Sequence, residues 1–565
     1  MRIARWILLL AGLSFLPAIS SAQSCSAPNA GFTIINFNGL YTAVWYPTAA
    51  PAAAFNYGTI SGSVAYNAPV STCAQYPLLL FSHGYAGCAT QSVFLTEQLA
   101  REGYIVAAPN YGDAQCSVPN TPPPYPPVTI PDSVFQDPAS WNNQSALYRY
   151  QQTEIALNGM LARADFGPQI DASRIAGFGH SLGGYTVFAM LGGWSNWVDT
   201  RMKAGLLLSP YMGPFVLSSP STVPNVHLPV MYQTGTLDYR ELPYIAAPGT
   251  SYDQSNTPKF LVELQNAVHL DFSNVVCGTA ATVAQCLATE PNASLIDNYS
   301  QAFFEHYLNQ QPAQLLFAAP AGLALYEGAT QTTVSDASFN PSVPAAPNEL
   351  VALFGMGMSV SPGQTASPGG SLPTNINGIT VSVTDSAGVT RQASLYYVSA
   401  TQINFVIPDG TATGTAKVSV SNAGTTVASG PLAIAAYSPS LFPATGIPGG
   451  VAKGWAELVN ASGPPSYANI FDPTSLAPVP LDVSQGNVYL VLAGTGLRGG
   501  AGQALSATVG KQTVPVEGLA AYSVYAGVDV VALGPLPSSL AGAGLVNITV
   551  TVGSSASNLV TLLIQ

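Results

Sequence analysis

Gly177-Phe178-Gly179-His180-Ser181-Leu182-Gly183-Gly184 constrains this chain more than any other stretch. Arg174 to Phe178 before the serine reads as a short buried strand. Leu182 to Leu191 after it places Tyr185, Val187, Phe188, Ala189 and Met190 on the apolar face of a packed helix. A strand that hands over to a helix through Gly-x-Ser-x-Gly sets the serine on a sharp, strained turn. Glycine two residues to either side lets the backbone pass closely there. Ser181 is therefore the candidate nucleophile. The pattern also arises by chance in chains rich in glycine and serine, so its partners decide its meaning.

Those partners are sought at the ends of other strands. Pro77 to Ser82 is a continuous apolar run, as expected of a strand covered on both faces, and it ends at His83-Gly84-Tyr85-Ala86-Gly87. Ala89 to Glu102 is helix-like and Tyr104 to Pro109 is another buried strand, which together predict a strand-helix-strand unit and a parallel sheet. A carbonyl attacked by serine becomes an oxyanion that needs two preorganised N–H donors. The N–H after the nucleophile, Leu182, and that of Tyr85 after the earlier strand are placed for this, although His83-Gly84 also reads as a plain strand-ending turn. Further on, Leu228 to Tyr232 runs into Gln233-Thr234-Gly235-Thr236-Leu237-Asp238, and Phe260 to Leu264 into Gln265-Asn266-Ala267-Val268-His269. The order Ser181, Asp238, His269 is that of an α/β-hydrolase, and the other two familiar triad orders do not fit it. Of the remaining histidines, His180 is adjacent to the serine and expected to point away from it. His83 belongs to the oxyanion loop, and His227 and His306 read as packing or surface residues. Asp271 rivals Asp238 but sits two residues from His269, close for orienting that imidazole.

A chain of 565 residues exceeds one ordinary core and predicts two to four domains. Only 7% of residues are charged, 15 basic against 27 acidic, for a formal net charge of -12. Nothing here forms a basic footprint for nucleic acid, and a neutral or apolar substrate suits the balance better than a polyanion. Arg2 and Arg5, the apolar run Trp6 to Leu16, and small residues Ser20 and Ala22 predict a signal peptide over 1–22. The apolar run is shorter than the ~20 residues a spanning helix needs, and no later stretch reads as transmembrane. Export agrees with the six cysteines, Cys25, Cys73, Cys88, Cys116, Cys277 and Cys286. Disulfides are expected, and the local pair Cys277 with Cys286 is the one spacing suggests. Between Tyr111 and Pro138, proline density predicts a long irregular loop carrying Cys116.

From about Phe32 to Tyr307 the chain resembles the dienelactone-hydrolase-like branch of the α/β-hydrolases, which includes platelet-activating-factor acetylhydrolases, chlorophyllase-like esterases and bacterial cutinases or polyester hydrolases. The matching pieces are Ser82-His83-Gly84-Tyr85, Asp171 to Gly184, Lys203 to Tyr211, Gly235-Thr236-Leu237-Asp238 and Ala267-Val268-His269. The resemblance implies Ser181 as nucleophile, His269 as base, Asp238 as its orienter, and Tyr85 and Leu182 as the oxyanion hole. It also implies Tyr85 and Tyr211 as substrate-binding residues. Tyr211 stands where polyester hydrolases of this group are expected to carry a stacking tryptophan, a departure from their pattern. No metal or organic cofactor is needed for such chemistry.

After Asn348, alternating Val, Thr, Ile and Ser segments broken by Gly and Pro carry no histidine or cysteine and predict all-β modules. Leu350 to Ser359 is echoed by Val488 to Leu497, and Gln402 to Pro408 with its following strands by Asp529 to Ile564, so two related β domains are implied. Tyr396 to Phe405, Ser440-Leu441-Phe442 and Ser557 to Val560 resemble a recurrent C-terminal region of secreted bacterial proteins, built from two immunoglobulin-like halves, for which cell-surface or polymer contact and a passive spacer are both open. The expected organisation is an α/β-hydrolase domain over 23–312, with a mostly parallel sheet and helices on both faces. A linker over 313–347 and immunoglobulin-like sandwiches over 348–438 and 439–565 follow. The expected function is a secreted serine ester hydrolase acting through an acyl-enzyme on small-molecule or polymeric esters of short acyl, aromatic or polyester type. A peptidase or acyltransferase on the same triad, and an adhesion or polymer-binding protein with an inactive hydrolase domain, are the alternatives.

Overall fold

The computed structural model describes residues 29–116, 127–311, 314–317, 319–359, 363–366, 371–459, 464–484 and 487–565. The expected signal peptide, Cys25 and most of the proline run, 122–126, lie outside them. Eleven strands form the first sheet: β1 (Asn29–Phe37), β2 (Leu40–Thr48), β3 (Ala53–Asn56), β4 (Ser61–Tyr66), β5 (Tyr76–Ser82), β6 (Ile105–Pro109), β7 (Ile170–His180), β8 (Met202–Leu208), β9 (Val230–Gly235), β10 (Lys259–Leu264) and β11 (Leu323–Ala329). Their order is β11-β10-β9-β8-β7-β5-β6-β2-β1-β4-β3. From β6 to β10 neighbours run parallel, and β2 joins β6 antiparallel. This order, with helices on both faces, fits the α/β-hydrolase sheet.

The middle strands read as unbroken apolar runs because both of their faces are covered. Leu79, Phe81, Val106 and Phe178 pack in one core with the helices Val93–Arg101 and Pro291–Asn309. Leu78, Leu80, Ile105 and Leu207 pack in the other with Leu147–Ala162 and Leu182–Phe188. Each such side chain contributes about 1.5–3 kcal/mol by burial. Because the strands are parallel, the loops after β5, β7, β8, β9 and β10 gather at one edge of the sheet, where ligands bind in folds of this kind. That edge carries His83, Ser181, Ser209, Asp238 and His269.

Two details differ from the sequence reading. The expected linker 313–347 is instead largely structured: β11 pairs antiparallel with β10, and Gln331–Ser335 already pairs with Leu350–Gly355 in the next sheet. Small residues and proline suggested a tether, but Leu323, Leu325 and Tyr326 complete the first sheet. Thr330 then bonds both ways with Ser429, its N–H to the carbonyl at 2.7 Å and its Oγ1 accepting from the Ser429 N–H at 2.9 Å. Within the expected loop between Tyr111 and Pro138, Asp132–Phe135 makes one helical turn after Pro131.

Among the described residues the remaining strands pair antiparallel and fall in four sheets. Two of them enclose a core that includes Val351, Phe405, Val381 and Val418. The other two enclose Leu490, Val531, Ile548 and Val560. Both pairs are consistent with β sandwiches. No helix among the described residues is long and apolar enough to cross a membrane.

Candidate active site

Ser181 joins β7 to the helix Leu182–Phe188 with φ 54° and ψ -118°, a strained backbone for a residue with a Cβ. The glycines explain how the chain turns there. A Cβ on Gly183 would fall 1.8 Å from the Ser82 carbonyl oxygen, and one on Gly179 would fall 2.5 Å from the Gly183 carbonyl carbon. Strand, turn and helix therefore pass in backbone contact. The Ser181 N–H donates to the Leu208 carbonyl at 3.0 Å, and its own carbonyl accepts from Tyr185 and Tyr211, each at 3.1 Å. The loop from His83 to Gly87 lies against the serine: a Cβ on Gly84 would sit 3.5 Å from that of Ser181. The N–H of Tyr85, next in sequence, and that of Leu182 thus belong to the two segments flanking the serine.

Asp238 and His269 meet from the ends of β9 and β10. His269 Nδ1 donates to Asp238 Oδ2 at 2.7 Å; the carboxylate is 1% exposed and the imidazole 29%. Ser209 Oγ donates to the same oxygen, and the Glu241 N–H donates to Oδ1 at 3.2 Å. Burial works to raise the Asp238 pKa, but the hydrogen bond and charge of His269 and the donors Ser209 and Glu241 outweigh it. The carboxyl rests below its usual range. Asp271 Oδ2 accepts from the Val268 N–H at 2.9 Å and is engaged in its own turn. Of the two carboxylates weighed from sequence, Asp238 is the one bonded to His269.

Ser181, His269, Gly84, Tyr85 and Tyr211 line one cavity of about 990 Å³. Tyr85 is fixed by its hydroxyl, which donates to the Ile130 carbonyl at 2.5 Å, and its ring lies 5.0 Å from that of Phe135. Tyr211 is almost wholly buried, its ring packed on Trp141 and Phe135 and its hydroxyl donating to the Phe135 carbonyl at 3.2 Å. It forms a fixed piece of wall. His180 borders the same cavity, its ring centroid 4.8 Å from that of His269. Cys88 and Cys116, joined as a disulfide, border the same cavity. Cys277 is bonded to Cys286 as the spacing suggested.

Beneath the loop from His83 to Gly87 lies a support that the sequence does not single out. Arg149 Nη1 donates to the His83 carbonyl at 2.6 Å, and Nη2 donates to the Gly84 carbonyl at 3.1 Å and to Asp113 Oδ2 at 2.5 Å. His83 is fully enclosed. Its Nε2 accepts from the Tyr111 N–H at 3.1 Å, and its Nδ1 donates to the Gly84 carbonyl at 2.7 Å. Burial, with the nearby Arg149 charge, pushes its pKa down to about 4, so the ring is neutral at neutral pH. A signal for Arg149 was present: Arg149, Thr153, Ala156, Leu157 and Met160 form the buried stripe of their helix at helical spacing. A lone guanidinium on such a stripe requires a partner. Ser209 was visible only as a polar residue directly after a core strand.

Residues 39–121 match the family described as platelet-activating factor acetylhydrolase, isoform II. The platelet-activating factor acetylhydrolase of Cavia porcellus is 24% identical over 293 residues, covering 45% of this chain and 62% of the relative. That of Canis lupus familiaris is 25% identical over 210 residues, covering 30% of this chain and 43% of the relative. The chain thus spans less than two thirds of these curated relatives. Among solved structures, a ferulic acid esterase from Streptomyces cinnamoneus is similar with TM-score 0.39 and 17% identity, over 52% of this chain and 95% of that one.

Proposed function

We propose that the chain is a serine carboxylic-ester hydrolase. The observation that carries this reading is the His269 to Asp238 hydrogen bond of 2.7 Å, set in the same cavity as a serine on a strained strand-to-helix turn. The similarity to proteins named acetylhydrolases supports the ester as the bond attacked. In this reading His269 Nε2 takes the Ser181 proton as Oγ adds to the ester carbonyl, and the Tyr85 and Leu182 N–H groups hold the oxyanion. The protonated imidazole gives its proton to the leaving alcohol. Water, deprotonated by the same imidazole, then attacks the acyl-enzyme and releases the acid and Ser181. Asp238, kept ionised below the usual range, fixes the Nδ1–H tautomer and steadies the imidazolium.

The cavity wall of Tyr85 and Tyr211 rings favours neutral or apolar esters. Secretion belongs to the same proposal, on the strength of Arg2, Arg5 and the Trp6 to Leu16 run together with the disulfides. The two C-terminal β units are read as immunoglobulin-like spacers or surface-contact modules. The test is hydrolysis of p-nitrophenyl esters from acetate to palmitate, with an aromatic polyester fragment, by wild type beside Ser181→Ala. Serine-dependent turnover is expected, and folded wild type inactive on every ester would overturn the reading.

A further inference from the structure

A chain of hydrogen bonds runs from the oxyanion loop to the backbone of His269 through two side chains that the reaction scheme does not use. The Gly84 N–H donates to Gln91 Oε1 at 3.0 Å. Gln91 Nε2 lies 2.9 Å from His180 Nδ1, and His180 Nε2 lies 2.9 Å from the His269 carbonyl oxygen. Elementary donor and acceptor rules fix the direction of every link. A backbone N–H only donates, so the amide oxygen of Gln91 faces Gly84 and its NH2 faces His180. An NH2 only donates, so His180 Nδ1 is bare. A carbonyl only accepts, so Nε2 carries the proton. Each donor meets an acceptor, and a neutral His180 in the Nε2–H form satisfies all three links.

We propose that Gln91 and His180 are a positioning pair that holds the oxyanion loop at Gly84 and the main chain at His269 in one fixed relation, so that oxyanion donors and base are placed together. The inference rests on the ester-hydrolase reading for its consequence, and on geometry for the connection itself. Two glycines of the oxyanion loop make room for the pair. A Cβ on Gly87 would fall 2.0 Å from Gln91 Oε1, and one on Gly84 would fall 3.0 Å from His180 Nδ1. The Gln91 backbone is itself anchored, its carbonyl accepting from the Asn274 N–H at 2.6 Å, on the segment that follows His269. His180 is enclosed, and the charged or titratable groups that act on it are His269, Asp238 and His83, while the buried Phe272 ring stacks on it. Burial, reinforced by repulsion from a charged His269, pushes its pKa down to about 3, consistent with a ring that stays neutral while His269 cycles. A misplacement of about 1 Å in such a site costs roughly a hundredfold in rate.

The experiment uses the full chain with 15N-labelled histidine and three proteins: wild type, Gln91→Leu and Gln91→Glu. Imidazole 15N spectra report the His180 tautomer without any need for turnover. The Nε2–H form with a hydrogen-bonded Nδ1 is expected in wild type, with Nδ1 losing its donor in Gln91→Leu; an Nδ1–H tautomer in wild type overturns the inference. For turnover, Gln91→Leu is expected to lower kcat by about tenfold or more with little change in KM. In Gln91→Glu an acceptor faces Nδ1, so only the imidazolium can serve both neighbours, and kcat gains a new descending limb as His180 loses its proton with rising pH. Both variants folded to the wild-type Tm with wild-type kcat and pH profile would also overturn it. Wild type without Ser181-dependent turnover removes the ester-hydrolase reading instead, and the spectra still decide whether the connection exists.

Discussion

Arg149 and Asp113 form an ion pair closed to solvent on both sides, Nη2 to Oδ2 at 2.5 Å. Burial works to raise the Asp113 pKa, but the charge and hydrogen bond of Arg149, together with His83 and Tyr148, outweigh it, so the carboxyl stays below its usual range. The same guanidinium holds the His83 and Gly84 carbonyls, and so the pair anchors the loop that carries Tyr85. Removing one partner strands the other charge in a dry interior, at a cost of about 3–5 kcal/mol. Arg149→Leu is expected to lose about that much stability in urea unfolding, and the double variant with Asp113→Leu to recover part of it. A single variant as stable as wild type would show that the pair does not hold the loop.

The two carboxylates near His269 separate cleanly by substitution. Asp238→Asn preserves shape but presents an amide where the imidazole needs an acceptor, and is expected to lower kcat by about 10⁴-fold. Ser209→Ala removes one donor to the ionised Asp238, a hydrogen bond of about 1.5–3 kcal/mol, and is expected to lower kcat by roughly tenfold. Asp271→Asn leaves kcat close to wild type, because that carboxylate only closes its own turn. Steady-state kinetics on a p-nitrophenyl ester checks all three. If Asp271→Asn carries the large loss instead, the assignment of Asp238 is wrong.

Gly183 tests the turn itself. An alanine there would bring its Cβ to 1.8 Å from the Ser82 carbonyl oxygen, a backbone atom of the central strand β5 that has no room to withdraw. Gly183→Ala is expected to be expressed poorly or to melt far below wild type, whereas Gly103→Ala, with open space around its Cβ, is expected to lose only the modest strain of its φ of 95°. Thermal melts of the two variants decide it. Comparable Tm values would mean that the turn has slack the geometry does not suggest.

The parts of this site legible in sequence were those fixed by strand ends. Apolar runs locate β5, β7, β9 and β10, and one chemical residue follows each of them, so Ser181, Asp238 and His269 could be read in order. What lay beyond reach depended on side chains crossing between distant segments. Arg149 bonds to residues 65 and 66 positions away, and Gln91 to His180 across 89. No local period encodes such pairings, although a guanidinium on a buried helical stripe indicates that one must exist. The 313–347 segment was misread for a related reason. Its composition resembles a tether, and only the open edge of β10 gives Leu323–Ala329 a partner.

Glu241 offers a test of electrostatics at the cavity wall. Its side chain is buried, its Oε2 has no hydrogen-bond partner among the described residues, and its neighbour Asp238 is ionised. Burial first, then the Asp238 charge, push its pKa up to about 8, with Arg240 offsetting a part. A carboxyl whose folded pKa exceeds its unfolded one binds more protons when folded. The stability it contributes is therefore fully present below the unfolded value of 4.5 and is lost as pH rises toward about 8. Glu241→Gln cannot titrate, so its stability relative to wild type should climb through that window, with a limiting slope of about 1.4 kcal/mol per pH unit. Buried Asp297 and Glu349 shift in the same direction, and His83 and His180 act oppositely because their pKa values are depressed. These contributions are common to both proteins and cancel in the difference. Urea unfolding of the pair from pH 4.5 to 8 measures it, and parallel stability curves would mean that Glu241 is already ionised in the folded protein.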